Sequence, residues 1–300
     1  MNLIKNKKYF LAFSGALVIA CWVLVAIFGL KQGIDLTGGA EWQIKIENPS
    51  TETETVLKNI LVSFASTSSA VVKSKGEKEF IIRMPEISEV EHIVLLTLVG
   101  EKIGGVTETS FYNIGPAISE ELRNQALKAA VFVLLGISIY IAWAFRKVSK
   151  PVASWKYGLA TLVTLFHDVS IPIGLLAVLG YLHDISIDPN FIVGLLVVMG
   201  FSVHDTIVVF DRIRENLTIK KSGESFAEII NMSVKETIVR SINTSLTLFL
   251  VLLAMVFWGP PSLFYFALTI LLGTTFGTYS SICVASPLVY ILQGKKADKT

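Results

Sequence analysis

Two aspartates lie inside long uncharged, apolar stretches of the sequence, where a carboxylate is hardest to accommodate. Asp168 stands 12 residues after Lys156, and Asp205 stands six residues before Asp211. A charged side chain at the centre of a membrane helix costs about 2.5–3.5 kcal/mol even on lenient scales, so such carboxylates usually serve a function. The chemistry open to them is the uptake and release of a proton. Arg240 is the basic residue nearest to Asp205 in depth, and its long side chain predicts an ion pair between the two.

Other kinds of chemistry fit these residues less well. Three of the four histidines directly precede an aspartate, which suggests a metal site. The pairs are His167-Asp168, His183-Asp184 and His204-Asp205. Neighbouring residues on a helix point about 100° apart, so a single pair cannot chelate a metal from one face, and we expect no metal. The sequence before Asp205 also lacks the Gly-x-Gly-Asp element of intramembrane aspartyl proteases. A structural alternative stays open, in which Asp168 and Asp205 only hold helices together through hydrogen bonds.

The composition indicates a chain that lies mostly in lipid. Apolar residues make up 52% and charged residues 17% of the sequence, and the mean hydropathy is +0.62. A formal charge of +2 leaves no basic excess for a nucleic-acid backbone, so we expect no nucleic-acid partner. Six apolar runs with at most one charged residue each are long enough to cross about 30 Å of hydrocarbon as helices. The predicted spans are 9–30, 126–145, 157–182, 189–210, 241–258 and 263–292.

The distribution of lysine and arginine predicts the orientation of these spans. Sixteen basic residues fall in the N-terminus 1–8, the connection 146–156, the loop 211–240 and the tail 293–300, whereas the two short connections on the other side have none. Basic loops stay in the cytoplasm. We therefore expect a multi-pass protein of the cytoplasmic membrane with both termini inside and segment 31–125 outside.

The outer segment 31–125 has the pattern of a small α+β domain. Residues 41–47 alternate strictly between polar and apolar side chains, which is typical of a strand with one buried face. Further strands are predicted at 70–73, 79–84 and 106–112, and helices follow capping boxes that begin at Thr51 and Ser88. The resulting order βαββαβ predicts a ferredoxin-like domain. The expected fold class is a six-helix membrane protein with this domain between spans one and two.

Five stretches of the sequence resemble the SecF family of the bacterial protein-export machinery, a short relative of the resistance-nodulation-division transporters. They are residues 33–39, 114–122, 200–216, 240–245 and 277–281. Two departures from the family pattern are Leu36 in place of phenylalanine and His204 in place of asparagine. The motif positions outside the predicted proton site are Gly33, Asp35, Gly38, Gly39, Gly115, Glu121, Asp211, Arg212, Asn243, Gly277, Ser280 and Ser281.

The resemblance implies a function in export rather than an enzymatic activity. It implies a subunit that pairs with SecD and uses the proton-motive force, without a cofactor, for late steps of protein export. Other implied partners are the SecYEG channel, YajC, the unfolded exported polypeptide and membrane lipid. The family's proton site matches Asp205 and Arg240 here, joined by an aspartate from SecD. His204 could extend this proton relay, and Asp168 is a further candidate for it.

Two alternatives share this helical core. A proton-driven exporter of small molecules or lipids, of the resistance-nodulation-division type, would have two large outer domains on a chain of about twice this six-helix length. A passive scaffold would use its polar residues only for packing and would tolerate the change Asp205→Asn.

Overall fold

The structure is a computed structural model that describes residues 2–145, 152–219 and 224–294. Residues 146–151, 220–223 and 295–300 lie outside the described residues. They belong to the predicted connection 146–156, loop 211–240 and tail 293–300. The chain divides into two compact units, Gln32–Leu127 and the remainder, and the first corresponds to the predicted outer segment.

The elements run in the following order. They are α1 (Lys7–Phe28), α2 (Ile34–Thr37), β1 (Gly39–Ile46), α3 (Thr53–Val62), β2 (Val71–Lys75), β3 (Glu79–Met84), α4 (Glu89–Ile103), β4 (Val106–Ile114), α5 (Pro116–Ala144), α6 (Ser154–His183), α7 (Pro189–Ile219), α8 (Phe226–Trp258), α9 (Phe264–Ser280), a five-residue π-helical turn (Ser281–Ala285) and α10 (Ser286–Gln293).

Unit Gln32–Leu127 is built on one four-stranded antiparallel sheet in the order β2-β3-β1-β4. The buried face of β1 carries Trp42, Ile44 and Ile46, each no more than 1% exposed. Side chains of α3 and α4, among them Leu57 and Leu95, pack on this same face to form the core. The alternation of the sequence therefore predicted the buried side of the strand, and the order βαββαβ is confirmed apart from the additional turn α2.

One of the two predicted capping boxes forms. Ser88 accepts a hydrogen bond from the backbone N–H of Glu91, whose carboxylate accepts from the Ser88 N–H at 2.9 Å. The box predicted at Thr51 was wrong, because α3 begins only at Thr53 and its N-cap makes no side-chain hydrogen bond. The Thr53 hydroxyl instead accepts from the Ser50 N–H at 2.8 Å, so a turn over these residues precedes the helix.

Six helical segments of the described chain are long and apolar enough to cross a membrane, which confirms the predicted number. The helices extend beyond the predicted spans: α5 begins at Pro116, α7 continues to Ile219 and α8 begins at Phe226. Hydropathy follows the thickness of the lipid, whereas a helix continues into water for as long as its backbone bonds are stabilised. The N-terminal end of α8 is stabilised by a capping box between Ser225 and Glu228.

The membrane helices differ in how much of their surface other helices cover. Helix α6 and the segment from α9 to α10 lie centrally, with contacts between α6, α7 and α9, and α8 packs against α7 and α9. Few residues in the apolar parts of α5, α1 and α8 are buried. The buried polar side chains of the unit are therefore concentrated where α6, α7 and α9 meet.

Candidate functional site

Asp168 lies at the contact of three helices and is fully buried. Its Oδ2 accepts hydrogen bonds from Ser202 of α7 and from Ser280 of α9, the latter at 2.7 Å. Its Oδ1 lies 2.8 Å from Nδ1 of His167, the preceding residue on α6. An ionised Asp168 only accepts hydrogen bonds, so the three neighbouring groups then act as donors. These donors replace the water that a carboxylate loses on burial.

Asp205 is the second buried carboxylate and belongs to α7. It is 4% exposed, and its Oδ2 accepts a hydrogen bond of 2.6 Å from Ser281 at the start of the π-helical turn. Ser280 and Ser281 are consecutive, yet they bind two different carboxylates, on α6 and on α7. A single turn of the last membrane segment thus contacts both acids of the site.

Small residues on α9 allow the close helix contact that this geometry needs. A Cβ atom added at Gly273 would lie 2.2 Å from Cγ2 of Val198 on α7. A Cβ atom at Gly277 would lie 3.3 Å from the Cβ of Ser202 and 3.7 Å from Oδ2 of Asp168. The glycine face of α9 that packs on α7 is therefore also the face that brings Ser280 to the carboxylate.

The structure does not bring Asp205 and Arg240 together. Within the described residues Asp205 forms no ion pair with Arg240, whose side chain is exposed and lines a separate polar cavity of about 260 Å³. The neighbouring residue Ser241 is buried, and Arg240, about 100° around α8 from it, lies on the side of the cavity that Val208 of α7 also lines. Depth along the membrane alone therefore did not predict the contact, because rotation about the helix axis also decides which side chains meet. His204 is exposed as well and lies outside the buried hydrogen-bond cluster of Asp168.

The motif residues near the C-terminal end of α7 belong to a network of ion pairs that reaches α8. Arg212 donates to Glu236 of α8 at 2.7 Å and to Glu215 of its own helix at 2.6 Å. Asp211 lies 3.3 Å from Arg214. The contact between Arg212 and Glu236 connects the two helices, whereas the pairs Arg212–Glu215 and Asp211–Arg214 lie within α7.

The motif residues of unit Gln32–Leu127 shape its turns. Gly38 and Gly39 have φ angles of +76° and +117°, and a Cβ at Gly39 would lie 2.6 Å from the carbonyl oxygen of Met84. Only glycine fits such a position without strain. A Cβ at Gly115 would lie 3.1 Å from the carboxylate of Glu86.

Four further motif positions take no part in the buried cluster. Gly33 precedes the short helix α2, and Asp35 lies within it. Glu121 is exposed on α5 and accepts a hydrogen bond from Gln125 at 2.9 Å. Asn243 is exposed on α8, one turn from Arg240.

Sequence reasoning named Ser280 and Ser281 as family-motif positions but not as partners of the carboxylates, and it did not single out Ser202. Ser202, Ser280 and Ser281 are each no more than 1% exposed, and each donates to Asp168 or Asp205. Serine is common on the packed faces of membrane helices, so its type alone does not indicate a partner. The one available signal was the adjacent pair Ser280 and Ser281 near the end of an uncharged run.

Comparisons with known proteins agree with the resemblance. A family described as "Protein export membrane protein SecD/SecF, C-terminal" matches residues 96–295. The protein translocase subunit SecF of Thermobaculum terrenum is 39% identical, with 98% of this chain and 95% of that protein covered. The SecDF subunit of Thermus thermophilus is 33% identical over 94% of this chain and 37% of its own length. The crystal structure of a Thermus SecDF superposes with a TM-score of 0.80 at 34% identity, covering 97% of this chain and 38% of that one.

Proposed function

Since the chain belongs to the SecD/SecF family of protein export membrane proteins, we propose that it is the SecF-type subunit of a protein translocase and is driven by protons. Relatives named SecF are covered over almost their full length. The chain spans about 38% of the SecDF structure, so the remaining part of the machinery lies outside it. The role proposed here is that of a transporter subunit, with the proton gradient as its energy source and without hydrolytic chemistry or a cofactor.

The observation that carries the proton coupling is the pair of buried carboxylates, Asp168 and Asp205, at the contact of α6, α7 and the last membrane segment. An ionised carboxylate in a low-dielectric interior needs donors, whereas a protonated one does not. Each aspartate here has serine donors whose hydroxyl groups can rotate. The site can therefore accommodate both the charged and the neutral form, which is the requirement for carrying protons.

The exposed polar faces of α7 and α8 support a partner in the membrane. Arg240, Asn243, Thr244 and Thr247 are exposed at helical spacing on α8, and His204 is exposed on α7. The Thr244 and Thr247 hydroxyls donate to backbone carbonyls of α8. Lipid does not satisfy the guanidinium, the amide or the imidazole, so a second membrane protein with polar residues would cover them. We assign this place to a SecD-type subunit. An aspartate of SecD next to the Arg240 guanidinium would complete the proton site that the resemblance implies.

The remaining assignments also follow from the family. We place the protein in the bacterial inner membrane with both termini in the cytoplasm and unit Gln32–Leu127 outside. On this orientation the outer unit would meet the unfolded exported polypeptide, and the membrane unit would associate with the SecYEG channel, YajC and membrane lipid.

The change Asp205→Asn tests the coupling. It removes the titrating oxygen and leaves the size of the side chain unchanged, so the SecD complex should still assemble while proton-dependent late translocation falls to background. Pulse-chase export in cells and translocation into inverted vesicles with an imposed proton gradient measure this step. Glu101→Gln, on the exposed surface of α4, is the matched control and should keep full activity. Normal export by an assembled Asp205→Asn complex would refute the coupling and support the passive scaffold.

Co-purification from native membranes separates the two transporter functions. A stoichiometric second subunit with six membrane helices is expected for a SecD-type partner. A homotrimer of this chain alone would instead support an exporter of small molecules or lipids.

A further inference from the structure

The two adjacent serines at the end of α9 each have more acceptors than protons. The Ser281 hydroxyl lies 2.6 Å from Oδ2 of Asp205 and 2.9 Å from the carbonyl oxygen of Thr278. The Ser280 hydroxyl lies 2.7 Å from Oδ2 of Asp168 and 3.1 Å from the carbonyl oxygen of Gly277. A serine hydroxyl has one proton to donate and two lone pairs with which to accept. Each hydroxyl must therefore favour either the carboxylate or the backbone.

The protonation state of the carboxylate decides this choice. An ionised Asp205 can only accept, so the Ser281 O–H points to it and leaves the Thr278 carbonyl. A protonated Asp205 carries an O–H of its own, which can donate to Ser281 Oγ. The Ser281 proton is then free to bond the Thr278 carbonyl. No proton is lost in this exchange, because the added proton stays on the carboxyl group and only the hydroxyl rotates.

The backbone around these serines is able to respond to the change. The π-helical turn Ser281–Ala285 begins directly at Ser281, and such turns change the hydrogen-bond register of the helix from i−4 to i−5. When the Ser281 hydroxyl turns towards or away from the Thr278 carbonyl, it changes the hydrogen bonds next to this turn. It thereby favours either the i−4 or the i−5 register of the helix. The titratable groups that act on Asp205 are Asp168 on α6 and His204 on α7.

We propose that Ser281 is a positioning residue of the proton site, which donates to ionised Asp205 and turns to the Thr278 carbonyl once Asp205 is protonated. This rests on the proposed function, in which Asp205 gains and loses a proton. Ser280 has the same geometry between Asp168 and Gly277. Proton uptake on α6 or α7 is thereby transmitted to the backbone hydrogen bonds of one turn in the last membrane segment.

The test compares Ser281→Ala and Ser281→Thr in the complex with SecD. Alanine removes a donor that only the ionised carboxylate uses, so the pH midpoint of proton-driven translocation should move up by about one unit. Threonine keeps the hydroxyl and should restore the wild-type midpoint. Ser138→Ala on the exposed face of α5, where the hydroxyl donates to the Leu134 carbonyl at 2.7 Å, is the matched control and should change nothing.

Infrared difference spectroscopy across the pH transition gives a second measurement. The wild type should show an amide I change together with the carboxyl band, and Ser281→Ala should keep the carboxyl band and lose the amide I change. An unchanged midpoint or an unchanged amide I signal in Ser281→Ala would overturn the inference. If the alanine variant does not accumulate, Ser281→Cys supplies a weak donor of similar size, and an unchanged midpoint there overturns it equally.

Asp205→Asn, measured in parallel, separates this inference from the proposed function. Normal translocation in Asp205→Asn would contradict the proton coupling itself. Loss of translocation in Asp205→Asn together with a wild-type pH profile in Ser281→Ala would leave the coupling intact and contradict only the role of Ser281.

Discussion

Gly273→Ala should separate α9 from α7 and destabilise the membrane unit. The new Cβ atom would lie 2.2 Å from Cγ2, 2.5 Å from Cγ1 and 2.9 Å from Cβ of Val198, closer than real contacts allow. Overpacking of this kind costs about 1–3 kcal/mol, because the side chain or the helix must move. For a unit of this size, each kcal/mol of lost unfolding free energy lowers the melting temperature by about 2–4 °C.

Thermal unfolding of the purified protein in detergent, scanned at one fixed rate, measures the effect. Val198→Ala in the Gly273→Ala background removes two of the three close atoms and should restore most of the lost stability. Gly200→Ala is the matched control, because nothing lies within 4 Å of its added Cβ. Replacing this helical glycine with alanine should raise the stability of the protein by up to about 1 kcal/mol.

The double variant makes the reasoning refutable. If Gly273→Ala and Gly200→Ala melt at the same temperature, the two helices are not in contact at Gly273. If Gly273→Ala is destabilised and Val198→Ala adds its own loss without recovery, the cost arises elsewhere than from this contact.

Three other changes have outcomes that the geometry predicts. Gly277→Ala places a methyl group 3.7 Å from the buried carboxylate of α6. The relative loss of translocation should exceed the relative loss of thermal stability, with both measured on one sample. Glu108→Ala leaves the indole N–H of buried Trp42, now 2.7 Å from that carboxylate, without its acceptor, and should cost about 1–3 kcal/mol. Faster hydrogen exchange along β1 would show it. Hydrogen bonds from the Ser88 backbone and hydroxyl lower the pKa of Glu91, so this cap stabilises α4 above about pH 4.3 and is lost as the pH falls through the lowered pKa. Exchange of the first α4 amides between pH 2 and 6 measures it, and Glu91→Gln should remove the dependence.

The fold of unit Gln32–Leu127 was predictable because its strands have one exposed and one buried face. The alternation of polar and apolar side chains around Trp42 predicts which side chains enter the core, and those side chains are buried in the structure. The number of membrane helices was equally clear from the uncharged runs. The helix ends were not, because charged residues after Phe210 end the hydrophobic run without ending α7, which continues to Ile219.

The candidate site was predictable in its acids and not in their partners. Burial of Asp168 and Asp205 follows from their place in apolar runs. Which residue meets each acid depends on rotation about the helix axes, and six similar apolar spans give little indication of rotation. Arg240 thus lines the cavity beside Val208 of α7 and, within the described residues, forms no ion pair with Asp205.

The energy of one proton limits what Asp205 could do alone. One charge that crosses 100 mV releases about 2.3 kcal/mol, whereas moving a two-state element from 1:99 to 99:1 takes about 5.5 kcal/mol. A single proton per cycle thus gives a partial shift in population. Two protons give about 4.6 kcal/mol, which approaches a full shift. Ser280 and Ser281 connect Asp168 and Asp205 to one turn, so on the proposed function two protonation events would act on the same backbone.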